Sequence, residues 1–176
     1  DPHYLQQAEW AARRFGLSDR VNFRQLSVYE LGRLPVTYDL VLFMGVFYHL
    51  RHPLLALDLL ASKVVRRMVF QSLTMPGSAV ADVPDDLPLL EREVLRSDGF
   101  PQMAFIEQKL AGDLTNWWAP NHAAVLAMLR SAGLRVIEQP GHEIYVCETS
   151  VGHGERERER QELVRRELVA LGLSAG

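Results

Sequence analysis

Residues 45–53, Gly45-Val46-Phe47-Tyr48-His49-Leu50-Arg51-His52-Pro53, crowd a flexible glycine, a phenol, two imidazoles and a guanidinium into one short stretch. An imidazole with an ordinary pKa of about 6.5 can take a proton near neutrality. A tyrosine hydroxyl beside it can orient the group that gives the proton up. Tyr48 and His49 are therefore the candidate catalytic pair. The same residues have plainer uses. Tyr48 can pack with its hydroxyl satisfied, His49 can bond backbone or cap the next helix, and Arg51 and His52 can be surface or helix-start residues. His49 and His52 stand three apart, but in a loop before Pro53, so no metal set is expected.

The elements around this stretch explain why it matters. Asp39 to Gly45 is an apolar run that reads as a central strand, buried on both faces, and Pro53 to Ser62 reads as a Leu- and Ala-rich helix. Open α/β sheets place ligands at the carboxyl ends of their strands, which is where Tyr48 and His49 fall. Upstream, a helix is expected from Asp1 to Phe15 with Tyr4, Leu5, Ala8, Ala11, Ala12 and Phe15 on one stripe, stopped by Gly16. Val21 to Leu26 reads as a strand, and Val28 to Leu34 as a turn or short helix. Val64 to Leu73 reads as the next strand, so the order suggests a parallel sheet with crossover helices.

Residues 76–118 break the rhythm with repeated Pro and Gly and read as an inserted cap, with short helices near Leu89–Arg96 and Met103–Leu110. Asn116, Trp117 and Trp118 close it, either as a substrate wall or as rings that plug the insertion onto the sheet. Glu107 is a cap residue that either contacts substrate or faces solvent. Pro120 to Ala132 reads as a helix stopped by Gly133. Leu134–Glu138 and Glu143–Glu148 read as a strand pair around Gln139-Pro140-Gly141. Gly152–Gly154 reads as a hinge and Glu155–Leu173 as a charged, solvated helix, dividing the chain into 1–150 and a 151–176 tail.

The chain has 176 residues, 48% hydrophobic and 23% charged, which suits one α/β domain. The net charge of −3 gives no overall basic footprint for nucleic acid. The single cysteine, Cys147, excludes an internal disulfide and reads as a buried strand residue. No apolar run approaches the ~18 residues of a membrane span, and no signal peptide is visible, so a cytoplasmic setting is the expectation.

Tyr38 to Pro53, with its Met44-Gly45-Val46-Phe47-Tyr48-His49 core, resembles the fourth-strand motif of class I S-adenosylmethionine-dependent methyltransferases. It is most similar to the branch of bacterial tRNA wobble-uridine carboxymethyltransferases. The resemblance extends over most of residues 1–148. It includes Asp1-Pro2-His3-Tyr4-Leu5, Asn22 to Leu31, Thr115-Asn116-Trp117-Trp118-Ala119-Pro120 and Met128 to Leu134. It implies a Rossmann-like, mostly parallel sheet with a terminal antiparallel strand, and S-adenosylmethionine as cofactor. Ser27, Val28 and Tyr29 would edge the adenine, Val28 by its backbone N–H. Met44 and Gly45 would flank the methionine portion, Tyr48 would reach the transferable group, and Asn116, Trp117 and Glu107 would face the acceptor.

Two departures from the family pattern shape the expectation. No Asp/Glu–x–Gly–x–Gly loop occurs in the chain, so the sheet is expected to lack its first strands, with that loop some tens of residues before Asp1. Ile144-Tyr145-Val146-Cys147-Glu148 offers no arginine for a carboxymethyl cofactor, which favours ordinary S-adenosylmethionine. Three functions remain in view: methyl transfer to a small-molecule, sugar or other hydroxyl or amine acceptor, tRNA modification, and a non-catalytic remnant.

Overall fold

A computed structural model describes residues 1–150 and 155–173. The elements run α1 (Pro2–Arg14), a 3-10 turn (Val28–Arg33), β1 (Tyr38–Met44), a second 3-10 turn (Phe47–His49), α2 (Pro53–Ala61) and β2 (Val64–Gln71). The cap follows, with a 3-10 segment (Leu89–Arg96), β3 (Met103–Phe105) and β4 (Trp118–Pro120). Then come α3 (His122–Ser131), β5 (Leu134–Gly141), β6 (Ile144–Thr149) and α4 (Glu155–Ala170).

The main sheet has the order β1-β2-β6-β5. β1 and β2 pair parallel, and β6 is antiparallel to both β2 and β5. Three of the four strands therefore point one way and β6 runs against them, the mostly parallel α/β arrangement expected. An aromatic row crosses the packed face in register. Phe43 pairs with Phe70 and Phe70 with Tyr145, with ring centres 6.0 and 6.2 Å apart. Phe47 meets Phe70 edge-on at 5.3 Å. Leu57 and Leu60 of α2 and Val125 and Leu129 of α3 close this core. Cys147 is fully buried in it, which pushes its thiol up to about 12.

Several expectations are corrected. Residues 21–26 form no strand, because among the described residues no neighbouring strand lies beside them to complete a ladder, and Val21 and Phe23 stay exposed. β1 is an edge strand rather than a central one. Phe43 packs inward, while Leu40, Leu42 and Met44 on the opposite face are 55%, 65% and 45% exposed. On α1 only Ala12 is buried, and Tyr4, Trp10 and Phe15 stand out in solvent. Met103–Leu110 forms no helix. Met103–Phe105 is a strand, because Phe105 pairs with Trp118 and stacks against the neighbouring rings. The β5–β6 turn falls at His142-Glu143, with Glu143 at a φ of +64°, not around Pro140. The glycine hinge lies outside the described residues.

The charged C-terminal helix is docked rather than freely solvated. Leu168 of α4 is buried, and the chain beyond it reaches the Val28–Arg33 turn, where Arg33 Nε donates to the Gly172 carbonyl at 3.4 Å. A Cβ on Gly32 would stand 1.6 Å from the Leu173 carbonyl oxygen, a backbone atom that cannot swing away. Gly32→Ala is therefore expected to lower unfolding stability by about 1–3 kcal/mol, the usual cost of overpacking, read in urea titration. Unchanged stability would mean that the 171–173 segment does not sit against this turn in solution.

Asp58 of α2 is partly buried, and that burial, with Glu167 of α4 nearby, pushes its carboxyl up from 3.8 to about 6. The folded chain thus holds a proton that the unfolded chain releases between those values. Stability from this group is full below the unfolded value and is lost as pH rises through the folded one. Asp58→Asn is expected to melt higher than the parent at pH 7 and to lose that advantage near pH 4. Parallel melting curves across this range would count against the burial of Asp58 under α4.

Candidate functional site

Both loops of the candidate site hang from the carboxyl end of β1 and the turn before it. β1 ends at Met44, and Gly45 turns the chain at a φ of +69°, a left-handed conformation that suits glycine. Gly45 N–H stays tied to the Gln71 carbonyl at 3.3 Å, so the turn begins beside the end of β2. A Cβ on Gly45 would lie 3.9 Å from Tyr48 Oη and 3.7 Å from Gln71 Oε1. Glycine thus leaves a notch bordered by a phenol and an amide. The Tyr48 and His49 rings sit 4.2 Å apart in the 3-10 turn that follows.

The cap locks this turn from the other side. Trp117 N–H donates to the Tyr48 carbonyl at 2.9 Å. Thr115, two residues earlier, then meets the imidazole of His49. His49 Nδ1 lies 3.2 Å from the Thr115 carbonyl and 2.9 Å from Thr115 Oγ1. A carbonyl oxygen only accepts, so Nδ1 carries the hydrogen. Thr115 Oγ1 passes its own hydrogen to Asp113 Oδ1 at 2.7 Å and accepts from Nδ1. Asp113 also takes the Thr115 N–H at 2.7 Å. These Thr115 bonds, with His49 adding, hold its carboxyl below the usual range. With Nδ1 donating along the Asp113–Thr115–His49 chain, Nε2 is the ring nitrogen left without a partner among the described residues.

The Val28–Arg33 turn is joined to the same loop. Tyr29 Oη accepts the His52 N–H at 3.1 Å, and the two rings meet edge-on at 6.1 Å. The turn is shaped by a capping box in which Ser27 Oγ accepts the Tyr29 N–H and Glu30 takes the Ser27 N–H at 2.9 Å. Ser27 Oγ is thus engaged with backbone. The Val28 N–H at the first position of the turn has no hydrogen-bond partner among the described residues. From behind, buried Lys63 Nζ donates to the carbonyls of Gly32 and Leu34 at 3.3 and 2.7 Å.

Of the residues singled out in the sequence, Tyr29, Gly45, Tyr48, His49 and Trp117 converge. Met44 lies on the exposed face of β1. Asn116 is 7% exposed, and its amide donates to the Leu110 carbonyl at 2.9 Å while Oδ1 has no partner. It therefore braces the cap loop from inside. Glu107 is exposed beyond β3 and, among the described residues, makes no hydrogen bond or ion pair with the others. Asp113, Thr115, Gln71 and Arg51 were missed as site residues. The Asp113-Leu114-Thr115 spacing is a recognisable Asx turn, but nothing local says that His49 lies across from it. Among the described residues no group of three or more His, Cys, Asp or Glu side chains is placed to hold a metal, and no helix is long and apolar enough to cross a membrane.

No family model matches the chain. A 60-residue segment, 34% of this chain, is 40% identical to an uncharacterized protein of Synechococcus sp. and spans 14% of it. The fold is similar to that of an O-methyltransferase family protein from Burkholderia thailandensis, with a TM-score of 0.54 and 15% identity over 85% of this chain and 41% of that one. It is also similar to the N-terminal domain of EvdMO1 in the presence of SAH and D-fucose, with a TM-score of 0.52 and 20% identity over 84% of this chain and 62% of that one. The chain thus spans part of each relative's length and has the methyltransferase fold.

The tautomer of His49 can be checked without any ligand. Nitrogen chemical shifts of the imidazole are expected to report hydrogen on Nδ1 in the parent chain. Thr115→Val, which removes the hydroxyl link to Asp113, is expected to shift the population toward the other tautomer. A parent imidazole carrying its hydrogen on Nε2 would remove the Asp113–Thr115–His49 arrangement.

Proposed function

We propose that this chain carries the cofactor-facing and acceptor-facing part of an S-adenosylmethionine-dependent methyltransferase. Its acceptor is a hydroxyl or amine of a small molecule or sugar. The observation that carries this reading is the turn after β1, where Tyr48 and a base-oriented His49 flank the notch at Gly45. Its position at the carboxyl end of a parallel strand pair is where such folds take ligands.

The residues present fit the cofactor's chemistry. The free Val28 N–H is a backbone donor for an adenine ring nitrogen, with Tyr29 beside it, and Ser27 supports it by capping the turn. Gly45 allows the methionine end to approach the backbone, with Met44 and Tyr48 at its sides. When bound, S-adenosylmethionine supplies an electrophilic methyl group. His49 Nε2 accepts the proton that an acceptor hydroxyl loses as it is methylated, and Thr115 and Asp113 stabilise the charge that the ring then carries. Tyr48 orients the acceptor. Trp117 and the cap limit access of water, and catalysis rests mainly on positioning.

One observation favours a second reading, a non-catalytic methyltransferase-like remnant. The face of β1 that carries Leu40, Leu42 and Met44 is bare among the described residues. The tRNA-modifying reading draws on sequence resemblance alone and has no support from a net charge of −3.

Calorimetric titration of S-adenosylhomocysteine into the chain separates these readings. Binding is expected, with Gly45→Val abolishing it through a β-branched side chain at positive φ. His49→Gln is expected to keep binding but to lower methyl transfer roughly 10²-fold or more, the usual range for a lost general base. Failure of both this folded chain and a folded version extended upstream to take up S-adenosylhomocysteine supports the remnant. Full turnover in His49→Gln removes the assigned base.

A further inference from the structure

Arg51 stands at the mouth of this site, and the pairing of the catalytic turn with the cap gives it an unusual setting. Its guanidinium carbon lies 4.8 Å from the centre of the Trp117 ring and 5.4 Å from that of Phe105. These two rings are stacked at 6.4 Å with 18° between their planes. Both are carried on paired backbone. Phe105 pairs with Trp118 across β3 and β4, Ile106 N–H donates to the Trp117 carbonyl at 2.8 Å, and Trp117 N–H is fixed to Tyr48. The aromatic faces therefore hold the cation in one place.

Contacts with ring faces leave the guanidinium N–H donors unused. Among the described residues Arg51 makes no hydrogen bond or ion pair, whereas Arg13, Arg96, Arg135, Arg165 and Arg166 each have a glutamate. The Asp113 carboxylate of the cap is committed to Thr115 and His49. A planar fork of N–H donors, already oriented and without a carboxylate, matches the paired oxygens of a carboxylate or phosphate. The overall charge of −3 repels a polyanion but leaves one anionic group on a small molecule free to bind.

We propose that Arg51, held by Trp117 and Phe105, is the binding point for a carboxylate or phosphate on the small-molecule acceptor. That the anion belongs to the acceptor rests on the methyl-transfer reading of the Tyr48–His49 turn. The anion site itself rests on the platform. The acceptor is thus an acidic small molecule, docked by its charged end so that its reactive group lies toward His49.

Nitrogen-15 NMR of the whole chain tests this, with ionic strength held constant by potassium chloride. Sodium acetate, inorganic phosphate and neutral acetamide are the probes, read at the indole N–H of Trp117 and the Nε–H of Arg51. Acetate, phosphate or both are expected to move these signals saturably, acetamide is not, and the indole of Trp10 on α1 is expected to stay still. A response to acetate alone assigns a carboxylate, and a response to phosphate alone assigns a phosphate. Arg51→Met is expected to abolish the Trp117 response and Arg51→Lys to weaken it. Arg51 is exposed, so both variants should fold. No saturable response, an equal response to acetamide, or an undiminished Trp117 response in Arg51→Met would overturn the proposal. S-adenosylhomocysteine is titrated into the same samples. An anion response without cofactor binding upholds the anion site and fails the methyl-transfer reading, while cofactor binding without an anion response does the reverse.

Discussion

The hydrogen bond from Trp117 N–H to the Tyr48 carbonyl joins the cap to the end of the sheet. Its net worth is about 1 kcal/mol, like any backbone bond exchanged with water. Its consequence is geometric. Once Trp117 is set against Tyr48, Thr115 comes within reach of His49 and the Trp117 ring comes under Arg51. The imidazole gains a fixed tautomer and the guanidinium a fixed direction from one contact between segments about seventy residues apart in sequence. The cap's own rigidity transmits this constraint. Asn121 caps α3 through Ala124 N–H, accepts from Gln102 N–H and donates to the Phe100 carbonyl, tying the ends of the cap to a helix of the core.

The sheet beneath is packed unequally. One face carries Phe43, Phe70 and Tyr145 in register against α2 and α3. The other face of β1 exposes Leu40, Leu42 and Met44. Sheets built on parallel pairs are normally covered on both sides. The turn after β1 is therefore anchored through its packed side, by Phe47 buried against Phe70, and not through Met44. That makes Gly45 and Tyr48 the firmer members of the candidate site and Met44 the freer one.

Local pattern carried much of the fold and little of the site's geometry. Helix caps and stops such as Asp1, Pro53 and Gly133, and the strand-turn-helix at 38–61, act within a few residues and were legible. The errors arose where tertiary pairing decides. Val21–Leu26 alternates like a strand but has no neighbour to bond, and Met103–Leu110 has helical composition but is drawn into pairing with Trp118. The apolar run of β1 reads as central because its composition is apolar on both faces, and composition does not reveal which face is covered. His49 could be nominated as a titratable group in that loop, and Tyr48 through the family resemblance of its turn. Thr115, Asp113 and Arg51 could not, because their roles come from contacts across the cap, and their types are common on any surface loop.

The Val28–Arg33 turn, joined to the same loop through Tyr29, follows the same logic. Its capping box is written locally in Ser27 and Glu30, but its placement is not. Lys63, just before β2, is buried, and among the described residues its ammonium is held by the carbonyls of Gly32 and Leu34 rather than by a carboxylate. Such a group is costly unless its donors are satisfied, so the carbonyls hold it and it holds the turn. The chain after α4 then closes over Gly32, where only a glycine leaves room. The backbone donor at Val28 is thus fixed by a lysine about thirty residues away and by the far end of the described chain. The docking of α4 is in turn opposed by the partly buried Asp58 and its neighbour Glu167. A helix that looks like a solvated tail by charge density therefore sets the rigidity of the turn nearest the proposed adenine position, and its hold weakens as Asp58 loses its proton.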